Sequence, residues 1–230
     1  MTTFSMRNGL TRRGFLSAGG LASVTLALSA CSAASRKIAA DDLPQRLVLG
    51  RTDAAVVRLL NRAGYGPRPG EVSTASGIGL AGWIEQQMQP DGIDDKASDL
   101  FERNLNYYQR DVTELLSMEY TDQARELQMA TAGRAILSKR QLKEAMTEFW
   151  SDHFNIYLGK KEHIVSLKII DDREVIRPNV LGKFRDLLFG SAHSPAMMLY
   201  LDNLVNFSGS PNENYARELL ELNTLSVHGP

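Results

Sequence analysis

Apolar residues recur at helical spacing through almost the whole chain beyond residue 50. No segment there alternates with the period of two that a half-buried strand requires. That pattern predicts an all-α chain, an irregular multi-helix domain over 51–230. Val56, Leu59, Leu60 and Ala63 follow the i, i+3, i+4, i+7 rule behind Thr52, a suitable N-cap, and Gly64 sits where a helix stops. Gly64-Tyr65-Gly66-Pro67-Arg68-Pro69-Gly70 reads as a stiff turn. A short helix over 70–76 is expected next, then one over 80–88 carrying Trp83, Ile84 and Met88. Residues 100–120, with apolar positions at 101, 105, 108, 112, 115 and 116, are expected as one helix, and 124–137 and 142–157 continue the pattern. Pro178 and Pro195 each fall in the first turn of a new run, where a missing N–H costs little.

The first 31 residues do not belong to this pattern. Thr11-Arg12-Arg13-Gly14-Phe15-Leu16 is a twin-arginine export signal, with Arg12, Arg13, Phe15 and Leu16 as its defining residues. An apolar stretch over 16–30, diluted by glycine, serine and threonine, follows; it is shorter than the ~20 residues a membrane span needs. Leu28-Ser29-Ala30-Cys31 closes it as a lipobox. Cys31 is the only cysteine, so no internal disulfide can form, and thioether linkage to a diacylglycerol is the expected use. Residues 32–50 read as a flexible, alanine-rich tether. The chain is therefore expected to leave the cytoplasm already folded, by the twin-arginine route. It would stay at the cell envelope, periplasmic or outer membrane, held by a lipid on Cys31.

The net charge of −1 becomes −4 once the three signal arginines are set aside. A mildly acidic body lacks the basic footprint of a nucleic-acid binder. Gly77-Ile78-Gly79-Leu80-Ala81-Gly82 matches the dinucleotide fingerprint letter for letter. That fingerprint works only between a buried strand and a helix, and the preceding Glu71-Val72-Ser73-Thr74-Ala75-Ser76 is polar and helical in character, so the glycines read as a link between helices. No feature downstream calls for a cofactor.

Three segments concentrate polar residues on apolar helices. In Glu148-Phe149-Trp150-Ser151-Asp152-His153-Phe154, His153 lies on an aromatic face, while Glu144, Glu148 and Asp152 form a stripe expected to face solvent. In His193-Ser194-Pro195, Ser194 caps and Pro195 opens a helix whose C-terminal end delivers Asp202. A carboxylate there opposes the helix dipole and calls for a partner, an arginine (Arg173, Arg177, Arg185 or Arg217) or a metal. In the third, Ser210 and Glu213 make a capping box with Pro211 in the first turn. Tyr215, Ala216, Leu219 and Leu222 are expected buried, and Arg217 pairs with Glu213 and Glu221 at i, i+4. His153, Asp202, Asn214, Arg217 and Glu218 are the candidate site residues, brought together across a pocket.

These segments, with Leu59-Leu60-Asn61-Arg62-Ala63-Gly64-Tyr65-Gly66-Pro67, Tyr200-Leu201-Asp202-Asn203 and Asn212-Glu213-Asn214-Tyr215-Ala216-Arg217-Glu218-Leu219, resemble domain-of-unknown-function family 1800 over about 47–229. The resemblance implies a mostly helical fold, an envelope or extracellular location and no established reaction. It also implies a partner from a second exported family. Family chains run on past the last motif, so this domain is expected to be partial, the N-terminal half, truncated at its C-terminus. Asn223 stands where a histidine is expected and His228 where an acid is usual, which weakens a metal role for that helix end.

Two functions fit. One is a lipid-tethered binding or assembly module whose polar residues lock helices together. The other is an envelope hydrolase acting on a glycan or other polymer, with Asp202, Glu218 and His153 as acid–base groups and Arg217 orienting an anion.

Overall fold

The computed structural model describes residues 51–209, 211 and 213–225, with only the backbone of Arg51 and Thr52. The expected signal peptide (1–31) and tether (32–50) lie outside the described residues, as do Ser210 and therefore the capping box. Met1–Leu49 and Gly50–Pro230 form separate units, and every described residue belongs to the second.

The architecture is all-α, with ten helices and no strand among the described residues. Helix α1 (Arg51–Ala63) packs on α2 (Glu71–Gln87) around Val56, Leu60, Ala75 and Trp83. Thr52 lies inside the first turn of α1 rather than before it. The two helices expected over 70–88 are present as the two halves of α2, joined at a kink at Gly79, whose φ of 76° and ψ of 162° are available essentially to glycine alone. The Gly77–Gly82 run is thus a kink between helical segments.

The helix expected over 100–120 is two, α3 (Lys96–Arg103) and α4 (Val112–Leu116). The reason lies twenty residues away. Glu126 accepts the backbone N–H groups of Asn106, Tyr107 and Tyr108 at 2.8, 2.5 and 2.9 Å, so these amides are satisfied without an intrahelical carbonyl. Helix α5 (Tyr120–Leu137) carries Glu126 and lies against α3 and α4 around Leu105, Tyr108, Leu115, Leu127, Ala130 and Ile169. Helix α6 (Gln141–His153) ends four residues earlier than expected, because Phe154 leaves helical geometry with ψ of 53°.

Helix α7 (Ile164–Ile170) continues through a π turn, Asp171–Ile176, into Arg177–Asn179. Pro178 therefore extends a helix rather than opening one. A proline in a regular α-helix clashes with the carbonyl four residues back. The wider turn relieves that, and the N–H of Arg177 reaches Asp172 five residues back. Helices α8 (Phe184–His193) and α9 (Pro195–Tyr200) complete the largest core, in which Phe154, Ile164, Val165, Ile176, Leu187 and Met197 are buried. Pro195 does open α9, but Ser194 makes no side-chain cap bond and its hydroxyl is buried without a partner.

Helix α10 (Glu213–Leu220), extended by a second π turn, Glu221–Leu225, is the most weakly held element. The buried stripe expected on it is absent: Tyr215 and Leu219 are half-buried, and Ala216 and Leu222 are exposed. Pro211 lies before the helix, not in its first turn. Around it, Leu204, Val205, Phe207, Leu220, Leu222 and Leu225 are all more than half exposed. No helix among the described residues is long and apolar enough to cross a membrane.

Candidate functional site

The structure brings together three of the five candidate residues. Asp202, Asn214 and Glu218 line one cavity of about 400 Å³ with Tyr157, Lys160 and Tyr200. Asp202 follows α9 in the left-handed region, φ 57°, an uncommon geometry that aspartate tolerates better than most side chains. Two lysines are among its partners. Lys161 donates to Oδ1 at 2.8 Å and Lys160 to Oδ2 at 2.9 Å, and these two bonds hold the carboxyl below its ordinary range. Asp202 is therefore a carboxylate, an acceptor only. Among the described residues, no group of three or more His, Cys, Asp or Glu could hold a metal ion.

The other two candidates lie outside that cavity. His153, at the end of α6, sits edge-on to Trp150 and Phe154, at 5.5 and 4.8 Å between centroids. Its Nε2 meets the backbone carbonyl of Asn223 at 3.0 Å, which a ring nitrogen satisfies only by carrying the proton. His153 thus ties α6 to the second π turn, and Asn223, buried there, serves through its backbone. Arg217 is exposed; it donates to Asn214 Oδ1 at 2.5 Å and approaches Glu218 at 3.9 Å, in place of the expected pairs with Glu213 and Glu221.

A second constellation escaped the sequence reading. Of the stripe expected to face solvent, Glu148 and Asp152 are exposed but Glu144 is not. Glu144 is buried and receives both terminal nitrogens of Arg177 at 2.8 and 2.6 Å, a bidentate pair. Burial opposes the charge on Arg177, and the bonds to Glu144 more than reverse this, holding its pKa above the ordinary value. Glu148 accepts from Tyr65 Oη at 2.7 Å, which fastens the turn after α1 to α6. Partial burial and then Glu148 push the Tyr65 hydroxyl well above its ordinary range, so it is a donor and not a base. Two adjoining cavities, of about 240 and about 490 Å³, share Tyr65, Glu148, Ser151, Asp152 and Lys168 in their walls.

Behind these cavities lies a charged interior. Arg134, 1% exposed, lies over the Tyr108 ring at 4.1 Å and bonds Glu102 through Nε at 2.9 Å. Tyr108 donates to Asp172 at 2.7 Å, and Arg134 reaches the same carboxylate oxygen at 3.7 Å. Lys168 pairs with buried Asp171 at 2.8 Å. The π turn carries Asp171 and Asp172 and leads directly into Arg177, so one irregular turn brings Asp172 to Arg134 of α5 and Arg177 to Glu144 of α6, while Asp171 pairs within its own helix. The sequence signal was available in Asp171-Asp172-Arg173 within an otherwise apolar helix, but the extra residue of the π turn hid which face each would take.

Comparison with curated proteins and with solved structures finds no match. The family model described as "Protein of unknown function (DUF1800)" matches residues 58–230, which include both constellations. The chain belongs to the DUF1800 family.

Proposed function

We propose that this chain is exported by the twin-arginine route, anchored through a lipid on Cys31, and works at the cell envelope as a binding or assembly module. The observation that carries the choice of binding over catalysis is the pairing of its ionised groups. Glu144 is held by Arg177, Asp172 by Tyr108 and Arg134, and Asp171 by Lys168. A general acid–base pair needs one group protonated and able to release its proton near the working pH. Asp202, between two lysines, is held ionised, and His153 is engaged with a backbone carbonyl. Such networks fix how helices pack and leave surfaces, not acids, to meet a partner.

Cell fractionation tests the address. The double change Arg12→Lys and Arg13→Lys should leave the chain in the cytoplasm. Cys31→Ala should move exported protein from the membrane to the soluble fraction, and membrane retention in that variant would sink the lipid anchor. The hydrolase reading keeps one observation in its favour, the shared cavity of Asp202 and Glu218. It predicts release of reducing ends from envelope glycan that Glu218→Gln abolishes. No release from the unaltered chain removes that reading.

A further inference from the structure

Lys143 stands on α6 directly before Glu144, in the wall of another cavity. That cavity, of about 400 Å³, is also lined by Pro90, Asp91, Glu102, Arg173 and Arg177. Its volume lies near the small end of the ~300–1,000 Å³ typical of ligand pockets.

The arginines around Lys143 are each engaged. Arg177 is forked onto Glu144. Arg173 donates to the carbonyls of Tyr108 and Arg110 at 2.7 and 2.9 Å, and to Glu174 at 2.7 Å. Arg140 donates to Asp99 and to the Pro90 carbonyl, both at 3.0 Å. Lys143 differs. It is half-buried, yet its side chain makes no hydrogen bond or ion pair with any described residue. Asp91, in the same wall, stands beyond ion-pair distance of it. The adjacent carboxylate, Glu144, is taken by Arg177, and that pairing sets a second positive charge near Lys143.

A lysine becomes a nucleophile when it is desolvated or set beside another cation, because both disfavour its ammonium form. Both act here. Burial, and then the Arg177 guanidinium, hold the Lys143 amine below the ordinary lysine range. Arg140 adds to this effect, while Glu144 and Asp91 oppose it. A free amine in a small cavity meets carbonyl compounds as a nucleophile.

We propose that Lys143 is a nucleophilic amine that captures a small aldehyde as an imine within this cavity. The nitrogen lone pair adds to the carbonyl carbon and a proton passes from nitrogen to oxygen. Water then leaves as the C=N bond forms, so no further reactant is consumed. Pro90, Pro178, Val180 and Leu181 supply apolar wall for the body of the aldehyde. The inference goes beyond the binding-module reading, since it adds a point of covalent attachment.

The test treats the exported full chain with limiting butanal and cyanoborohydride at neutral pH, and maps the reduced adducts by peptide mass spectrometry. Lys139 and Lys183, both exposed, are the internal references. Lys143 should be alkylated severalfold faster than either. The preference should fade as the pH rises into the ordinary lysine range, where the exposed lysines lose their protons as well. It should vanish in the urea-unfolded chain. Asp91→Asn, a change at an exposed position, removes a charge that favours the ammonium form. It should speed labelling of Lys143 and leave Lys139 and Lys183 unchanged. Labelling of Lys143 no faster than that of the references, or a preference that survives unfolding, would overturn the proposal. So would an Asp91→Asn chain that labels Lys143 at the unaltered rate.

Discussion

Arg177 and Glu144 show how a residue pair can carry more of the fold than its neighbours. Both are largely buried, with side chains 13% and 6% exposed, and they join the end of α7 to α6 through two short parallel bonds. Removing one partner strands the other charge in the interior, a loss of about 3–5 kcal/mol. Arg177→Met alone, or Glu144→Met alone, should therefore lower the urea midpoint sharply. The double variant should recover much of that loss, because no unpaired charge remains. A double variant as unstable as the sum of the singles would mean the pair is not coupled as its geometry indicates. The sequence displayed Glu144 as one member of an acidic stripe, and nothing local distinguished it from Glu148 and Asp152, which stay exposed. Its partner is 33 residues away, and only packing reveals which carboxylate is taken inside.

At the scale of elements, legibility followed locality. Helices α5 and α6 were readable as helices but not in the face each buries, since α5 takes in Gln123 and Arg134 and α6 takes in Gln141, Glu144 and Thr147. The break between α3 and α4 was not, because Glu126 acts on Asn106, Tyr107 and Tyr108 from another helix. Helix α2 offers a sharp contrast between two glycines two residues apart. Gly77 is helical and a Cβ there meets nothing within 4 Å. Gly77→Ala should stabilise the chain by up to about 1 kcal/mol, through helix propensity and a less disordered unfolded state. Gly79 has a positive φ in the glycine-only region, and Gly79→Ala should cost about 1–3 kcal/mol despite equally open space. Thermal unfolding should move in opposite directions for the two variants. Equal shifts would mean that the kink is not held by Gly79. Of the candidate site, the sequence supplied Asp202, Asn214 and Glu218 but neither tyrosine. Tyr157 lies beyond the end of the helix that the apolar spacing predicts for it, and Tyr200 closes α9 with nothing in its local sequence to mark a cavity wall.

Taken whole, the described residues form a helical body whose charged centre joins α5, α6 and α7, and whose last helix, α10, is held more loosely. Its late segment makes two notable connections back, the His153 contact with Asn223 and the bond from the Tyr215 hydroxyl to the Ala192 carbonyl. A π turn is an α-helix that has taken in one residue too many, and its wider winding absorbs that residue so that the helix leaves in nearly the phase at which it entered. Deleting the exposed Glu174 should therefore restore ordinary winding and leave Arg177 close to its present direction. It would also remove the room in which Pro178 stands clear of the carbonyl behind it, a loss of about 3 kcal/mol. Thermal unfolding of the deletion should stay cooperative with a lowered midpoint, whereas Glu174→Ala, which keeps the count, should leave the transition close to that of the unaltered chain. A deletion as stable as the unaltered chain would mean that the wide turn does not accommodate the proline. The extra residue is thus slack in the winding, taken up where a proline sits inside a continuous helix.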